Sequence, residues 1–389
     1  MKEIIEKDKC CGCAACYSAC AHHAISMQLD EEGFEYPVIM QDVCMDCGLC
    51  QKVCPVLQYD NMDDIRKSNN EVLEGYAARN TNMEQRLESS SGSIFPPIAE
   101  WIIEQGGLVV GIGYDEDYNA VHKFVENKND IIQLQGSKYL QCKADNTTFS
   151  RIKKELMAGR IVLYSGMACQ VEGLKSFLGK DCDNLYTIDL ICMGIPSYIV
   201  WQKYLSAFFK GEKIKYVNFK EKSIGWDTFV FRVDTDKRVF KERGMYNKYL
   251  RSMFLSWNMR PSCFNCPFKK IERISDFTLA DAWGVSNIVP EIHDNKGLSS
   301  VIIHSTKGLK LWQQLSNRFE SVEVGIDIIA KGNSNLYSNK PQTGDRKLFY
   351  KTLAINPQEA FEKLCSIKKE TLVHQLKRNI MKIIQKLKK

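Results

Sequence analysis

No run of about 18 consecutive apolar residues occurs anywhere in the 389-residue chain, so no membrane-spanning helix is expected. The first residues, MKEIIEKDK, lack the apolar core of a secretory signal. Charge of one sign is also missing. The 53 Lys and Arg residues face 47 Asp and Glu, and the net +6 is only mildly basic and does not suggest a nucleic-acid binder. A third glycine is missing from Leu108–Glu116 (LVVGIGYDE) at the spacing that a nicotinamide fingerprint requires. That stretch therefore reads as a core strand and a turn. Low-complexity tracts are absent, as are internal repeats outside one cysteine-rich segment.

Cysteine, by contrast, is abundant. There are sixteen, and nine of them fall within residues 10–54. Disulfides and metal ligation are the two explanations. Without a secretory signal the expected location is cytoplasmic, where thiols stay reduced, and the clustering favours metal.

The spacing of the cluster is more informative than its density. Cys10-x2-Cys13-x2-Cys16-x3-Cys20 is followed by Cys44-x2-Cys47-x2-Cys50-x3-Cys54 and then Pro55. Three closely spaced thiolates wrap one corner of an iron–sulfur cubane, and the fourth must come from elsewhere in the chain. In two-cluster ferredoxins the last cysteine of each run serves the other cluster. Cys10, Cys13, Cys16 and Cys54 are thus expected to hold one [4Fe–4S] cluster, and Cys44, Cys47, Cys50 and Cys20 the second. Cys11 reads as a non-ligand. Zinc is the competing reading, but paired zinc sites do not need a third and fourth cysteine in both halves. Ala21 stands where a proline often follows, a position that ligates nothing.

The expected organisation is a ferredoxin unit over residues 1–58, a polar linker from Tyr59 to Glu71, and a body in two parts, 72–158 and 159–335. Leu108–Tyr114, Arg160–Ser165 and Asn184–Cys192 are short apolar runs that fit buried strands. Helical patterns lie between them, at Ile94–Gln105, Asn146–Ala158 and Gln170–Leu178. This alternation predicts a mixed, mainly parallel α/β domain. From Ile214 the pattern changes: Lys213–Lys220 and Thr228–Val233 read as strands without a crossover helix, and predict an α+β C-terminal part.

Six ordered motifs in this body carry a resemblance. They are Ser89–Ser93 (SSSGS), Gly136–Gln141 (GSKYLQ), Tyr164–Lys175 (YSGMACQVEGLK), Asp189–Ser197 (DLICMGIPS), Arg260–Lys269 (RPSCFNCPFK) and Ser275–Gly284 (SDFTLADAWG). Together they resemble the beta subunit of coenzyme F420-reducing hydrogenase and its dehydrogenase relatives, over roughly residues 72–305. The resemblance implies an FAD-dependent iron–sulfur oxidoreductase whose flavin links clusters to a two-electron acceptor. It also implies a redox partner protein, either a ferredoxin or a dehydrogenase subunit. In archaeal members the acceptor is coenzyme F420. Many bacterial members resemble parts of polysaccharide gene clusters, which implies a small-molecule or lipid-linked sugar substrate.

The chemistry of the motifs is compatible with FAD. Ser91, Gly92 and Ser93 precede a helix, with Pro96 and Pro97 in its first turn, and offer a phosphate-binding helix start. Gly136, Ser137, Lys138 and Tyr139 offer a cation and an aromatic ring. An ordinary capped helix and a surface turn are the competing reading. Cys169, Cys192, Cys263 and Cys266 each lie in one of the motifs and form a candidate third [4Fe–4S] set, against a zinc knuckle or plain buried thiols. Cys142, Cys182 and Cys365 fit no set and read as buried thiols.

The chain departs from the family pattern at Met193, where a histidine is usual, and at Met167-Ala168, Ser93, Ala280 and Ala282. Lys138 and Asp189 are the candidate catalytic groups, with Asp281 as a further polar candidate.

Residues 366–389 read as a tail. Lys368–Lys389 carries eight Lys or Arg and one acidic residue, with Leu372, Val373, Leu376, Ile380, Ile383, Ile384 and Leu387 at helical spacing. Such a basic amphipathic helix fits peripheral contact with the inner face of a membrane, or packing on its own domain. Three functional readings follow: an enzyme, an electron-transfer subunit of a larger complex using coenzyme F420, and a non-catalytic iron–sulfur protein.

Overall fold

The computed structural model describes residues 3–62 and 72–366. The expected tail helix at 368–389 and most of the expected linker lie outside the described residues. Among those described, no helix is long and apolar enough to cross a membrane.

The two cysteine runs fold as a matched pair. In each, the residues just before and just after the second cysteine are left-handed: Gly12 (φ 71°) and Ala14 (65°) in the first, Asp46 (51°) and Gly48 (72°) in the second. Each loop then enters a short helix, α1 (Ala15–Ala19) or α2 (Leu49–Lys52). Left-handed turns at Ala14 and Asp46 cost about 1 kcal/mol or more each, a strain repaid where the loop must curl its thiols inward. An antiparallel hairpin, β1 (Ile25–Leu29) and β2 (Glu35–Ile39), joins the halves. Ile4, Ile25 and Ile39 form a small core, and Cys16, Cys20, Cys44 and Cys50 pack against it.

The body continues in chain order through β3 (Glu74–Asn80), α3 (Met83–Glu88), α4 (Phe95–Glu104), β4 (Leu108–Tyr114), β5 (Ala120–Val125) and α5 (Thr148–Met157). Then come β6 (Val162–Met167), α6 (Ala168–Leu178), β7 (Leu185–Leu190), α7 (Tyr198–Phe208), β8 (Ile214–Glu221), β9 (Val230–Thr235), β10 (Val239–Arg243) and α8 (Lys248–Phe254). These are followed by β11 (Phe277–Asp281), β12 (Ser299–Ile303), α9 (Thr306–Gln314), β13 (Phe319–Glu323), α10 (Ile326–Gly332) and α11 (Arg346–Ile355).

Eight strands make one sheet in the order β13-β3-β12-β11-β7-β6-β4-β5. The central four, β11, β7, β6 and β4, are parallel; the flanking pairs are antiparallel. The expected parallel character thus holds for the middle of the sheet and not for its edges. The two body segments, 72–158 and 159–335, share this sheet. Alternation along the strands explains their continuous apolar runs. Val109, Leu163 and Ile188 face α4 and α9 on one side, while Leu108, Val110, Val162 and Tyr164 face α5 and α6 on the other.

Between β7 and β11 the chain leaves the sheet. It builds the antiparallel meander β8-β9-β10 and a second core rich in aromatic rings, around Trp201, Tyr204, Phe219, Phe231 and Tyr249. Phe349, Leu353 and Phe361 return to that core, so the body extends past the expected limit at 335.

The N-terminal unit is docked on this body. Ala15 and Val53 enter the core beneath α6, and Gly173 on α6 is the one residue type that fits there, since a β-carbon would stand 2.9 Å from the Cys13 side chain. The buried Arg260 donates from Nε to the Cys10 carbonyl at 2.6 Å, and from Nη2 to the Glu35 carbonyl at 2.9 Å. Arg346 ties Glu32 to the carbonyls of Trp257 and Met259. The start of the expected linker is docked too: the Tyr59 hydroxyl donates to the Pro267 carbonyl at 2.7 Å, and its ring packs edge-on against Phe268.

Candidate functional site

The C-terminal ends of β6, β7 and β11 open onto one edge of the sheet, where open α/β folds place their ligands. A cleft of about 290 Å³ lies there. Its walls are the 89–93 loop, the 135–140 loop, the end of β6 with Gln170, the segment Leu190–Pro196, and Leu279–Asp281. Of the residues expected to bind a cofactor, Ser91, Ser93, Gly136, Ser137, Lys138 and Tyr139 line the cleft. Gly92 sits behind them. Its amide donates to Ser299 Oγ at 2.9 Å, and a β-carbon there would lie 2.4 Å from the Ala78 carbonyl. Its role is close packing on the sheet, not approach to a ligand. Gly92→Ala is expected to destabilise the protein by about 1–3 kcal/mol, as overpacking against rigid backbone does; a thermal denaturation series against wild type checks this.

The two loops are tied together. Ser90 Oγ accepts from the Ser137 amide at 2.6 Å and bonds its hydroxyl at 2.8 Å. Ser93 takes a backbone conformation that favours glycine. It is left-handed (φ 66°), and its hydroxyl offsets that strain through bonds to Ser89 Oγ at 2.9 Å and the Gln85 carbonyl at 3.1 Å. Lys138 donates to the carbonyls of Gln135 at 2.6 Å and Gln133 at 3.3 Å. Burial lowers its ammonium to about 7. With no carboxylate among these partners, Lys138 is suited to meet an anion.

Asp189 does not reach the cleft. It is buried under the sheet, where Oδ1 accepts from Thr278 Oγ1 at 2.7 Å and Oδ2 from Ser275 Oγ at 3.0 Å, with Arg273 Nη1 at 3.3 Å. Its carboxylate holds β7 to β11, and the expected catalytic role is replaced by a structural one. Asp281, in contrast, lines the cleft and pairs with the buried Lys220. Burial opposes the charge on Lys220, but Asp281 and Tyr139 outweigh it and raise its pKa. Trp226 donates to Asp281 Oδ1 at 3.3 Å and stacks on Trp283 with centroids 4.7 Å apart.

Lys220 carries no motif and escapes a reading of the sequence. So does Lys222, which donates to the Ser91 carbonyl at 2.8 Å and the Lys296 carbonyl at 3.0 Å from beneath the serine loop. Cys142 is also on the cleft wall, with Sγ 3.6 Å from His122 Nδ1. Met193 is there as well.

The thiols form a connected series. Cys47 is exposed, and Cys44 and Cys50 lie with Cys20 against the small isoleucine core. Cys16 is pushed up by burial and by its neighbours Cys10, Cys54 and Cys50. Cys54 therefore stands with Cys10 and Cys16, across the unit from its own run. Cys11 is hydrogen-bonded to both Cys13 and Cys169. Cys169 is held well above the ordinary thiol range, first by that bond to Cys11, then by burial and by Cys266 and Cys192. Burial pushes Cys192 up to about 12, with Cys263 adding to it, and pushes Cys263 and Cys266 to about 11.

Soft ligands crowded in a buried space, with Lys269 and Arg260 nearby, are the donor set an iron–sulfur cluster takes. The Ile195 amide donates to Cys263 Sγ at 3.3 Å, the Ala24 amide to Cys20 Sγ at 3.3 Å, and Arg260 Nη2 to Cys10 Sγ at 3.5 Å. Cys192 neighbours Cys263 and also lines the cleft wall.

Comparison with known proteins fits this arrangement. Residues 159–324 match the family described as the C terminus of the coenzyme F420 hydrogenase/dehydrogenase beta subunit, and residues 9–57 match the 4Fe-4S dicluster domain. The chain is 24% identical over 227 residues to a coenzyme F420-dependent sulfite reductase from Methanocaldococcus jannaschii, covering 57% of this chain and 33% of that protein. It is 39% identical over 56 residues to pyruvate synthase subunit PorD from Thermotoga maritima, covering 14% of this chain and 52% of that protein. The chain thus spans about a third and about half of the lengths of these two relatives. A xenon-derivatised F420-reducing nickel–iron hydrogenase complex from Methanosarcina barkeri contains a chain with 18% identity and a TM-score of 0.46, matched over 68% of this chain and 88% of that one.

Proposed function

We propose that this chain, which belongs to the coenzyme F420 hydrogenase/dehydrogenase beta-subunit family and carries a 4Fe-4S dicluster domain, is an electron-transfer oxidoreductase linking iron–sulfur clusters to FAD and a deazaflavin-type carrier. The observation that carries the reading is the double position of Cys192. Neighbouring thiols lead from the exposed Cys47 through Cys50, Cys16, Cys10 and Cys11 to Cys169, Cys192, Cys263 and Cys266, and the same Cys192 lines the cleft. Electrons entering at one end are thereby brought to a ligand pocket.

Ser91, Ser137 and Lys138 would hold the phosphates of FAD, and Tyr139 would pack on its rings. FAD, when bound, converts between single electrons and hydride pairs, which clusters alone do not. The Asp281–Lys220 pair holds a carboxylate and an ammonium against the cleft without leaving either charge unpaired. Support for a deazaflavin partner comes from the matched family's description and from the name of the sulfite reductase. The reading of the chain as a subunit working with a partner protein is supported by the likeness of its cysteine unit to a pyruvate synthase subunit. No feature of the cleft favours the sugar substrate of the polysaccharide reading.

Protein purified anaerobically is expected to release stoichiometric FAD on denaturation. Reduced coenzyme F420 is expected to bleach the visible absorption of its clusters. Absence of flavin would overturn the reading. Cluster reduction by dithionite but not by reduced F420 would remove the deazaflavin partner alone.

A further inference from the structure

The two cysteine loops share one backbone conformation, yet their surroundings are opposite. In the first, Cys10, Ala14 and Ala15 are buried, and Cys11 meets Cys169 of the body. In the second, the counterpart of Cys11 is Met45, 69% exposed, and the same loop exposes Val43 (42%), Met40 (39%) and Leu49 (38%). Cys47, a cluster ligand by its spacing, is exposed among them. Residues 40–51 also hold two carboxylates, Asp42 and Asp46, and no basic side chain. Both carboxylates are exposed.

We infer that the 40–49 loop is the docking face for a one-electron carrier protein whose redox centre lies at its surface within a basic rim. The proposal rests on the redox reading above and names the surface by which electrons enter or leave. The first loop shows how such a loop is used: it sets its thiols against the next thiol cage over apolar contacts. The second loop is built the same way and offers the same contact outwards.

Four apolar side chains with two flanking carboxylates are far too few for a stable dimer. They fit the small, transient encounters of electron-transfer pairs, which bury less than about 1,200 Å². The carboxylates select a basic partner and speed the encounter at low salt. The step moves one electron between the cage of Cys44, Cys47, Cys50 and Cys20 and the carrier's centre. One side is oxidised as the other is reduced, and no proton need move.

The test uses the full, cluster-loaded chain, reduced with dithionite and desalted. Ferric cytochrome c serves as a basic one-electron acceptor, and benzoquinone as a small neutral one. Two variants are compared with wild type: Val43→Ser with Met45→Ser, and Asp42→Lys with Asp46→Asn, asparagine being tolerated at the left-handed position. Each is expected to lower the second-order rate with cytochrome c about tenfold, with benzoquinone reduction and iron content unchanged. The wild-type rate is expected to fall with added salt, and the second variant to lose that dependence.

An unchanged cytochrome c rate overturns the proposal. So does a parallel fall with both acceptors, which would mean damage to the cluster. A dimeric wild type made monomeric by Val43→Ser with Met45→Ser would assign the face to a second copy and also overturn it. An unchanged cytochrome c rate with normal benzoquinone reduction in every variant would reject this face and leave the redox reading standing.

Discussion

Replacing Cys169, Cys192, Cys263 or Cys266 by alanine, one at a time, is expected to lower the iron content from about twelve to about eight per chain, as the loss of one four-iron cluster requires. Reduction of bound FAD through the clusters should then fall by orders of magnitude. The two clusters of the N-terminal unit should remain, visible in their magnetic resonance signals on reduction. Iron analysis and stopped-flow spectroscopy read the two effects separately.

The expectation follows from a count. Cys11, Cys169, Cys192, Cys263 and Cys266 follow one another as paired neighbours, and a cubane takes four ligands. With Cys169, Cys192, Cys263 and Cys266 proposed as the four ligands, Cys11 is the surplus one. Its counterpart in the matching loop is Met45, which ligates nothing, and its bond to Cys13 places it between two cages rather than in one. Cys11→Ala is therefore expected to keep about twelve irons while slowing transfer between the cages. Loss of about four irons in Cys11→Ala, with full iron in one of the other four variants, would exchange the assignments. Eight irons in the wild type would remove the third cluster altogether.

Local patterns in the sequence were the legible part of this molecule. The cysteine runs state their ligand geometry because each loop is built from contiguous residues. The strands at 108–114 and 185–190 show themselves as apolar runs because helices cover both faces of the sheet there. What pairs over long distances was hidden. β12 and β13 have five residues each, β12 (SSVII) opens on two serines, and β3 (EGYAARN) mixes polar with apolar residues, so neither their existence nor their antiparallel place at this side of the sheet follows from periodicity.

Asp189 shows the same limit. Its motif marks it as important, and only the sheet reveals that the importance is structural, through Thr278, Ser275 and Arg273. Lys220 and Lys222 carry no local signal whatever, because their partners lie 61 and 131 residues away at Asp281 and Ser91. The serine and GSKY loops were recognisable as motifs, and the fold adds that Ser90 and Ser137 lock them into one wall.

Arg260→Met is the second substitution expected to act strongly. The side chain is buried, and its guanidinium serves four partners: the carbonyls of Cys10 and Glu35, the amide oxygen of Gln141 at 3.3 Å, and Cys10 Sγ. It also lies over the Tyr36 ring, 4.2 Å from its centroid. Methionine fills much of the space and satisfies none of these acceptors. Leaving two or three buried oxygens unpaired costs about 1–3 kcal/mol each, so a loss of about 3 kcal/mol or more is expected, read as a lower transition temperature or as early release of the N-terminal unit to protease.

A second effect is electrostatic. A fixed positive charge beside Cys10 favours the more negative, reduced cluster, so removing it lowers the midpoint potential of the cluster held by Cys10, by an amount on the order of tens of millivolts. Arg260→Lys separates the two effects. Lysine keeps the charge but lacks the planar fork, so the potential should stay near wild type while the stability still falls. A potential that drops equally in the lysine and methionine variants would mean that geometry, not charge, sets it, and would make Arg260 a clamp between the two units and nothing more.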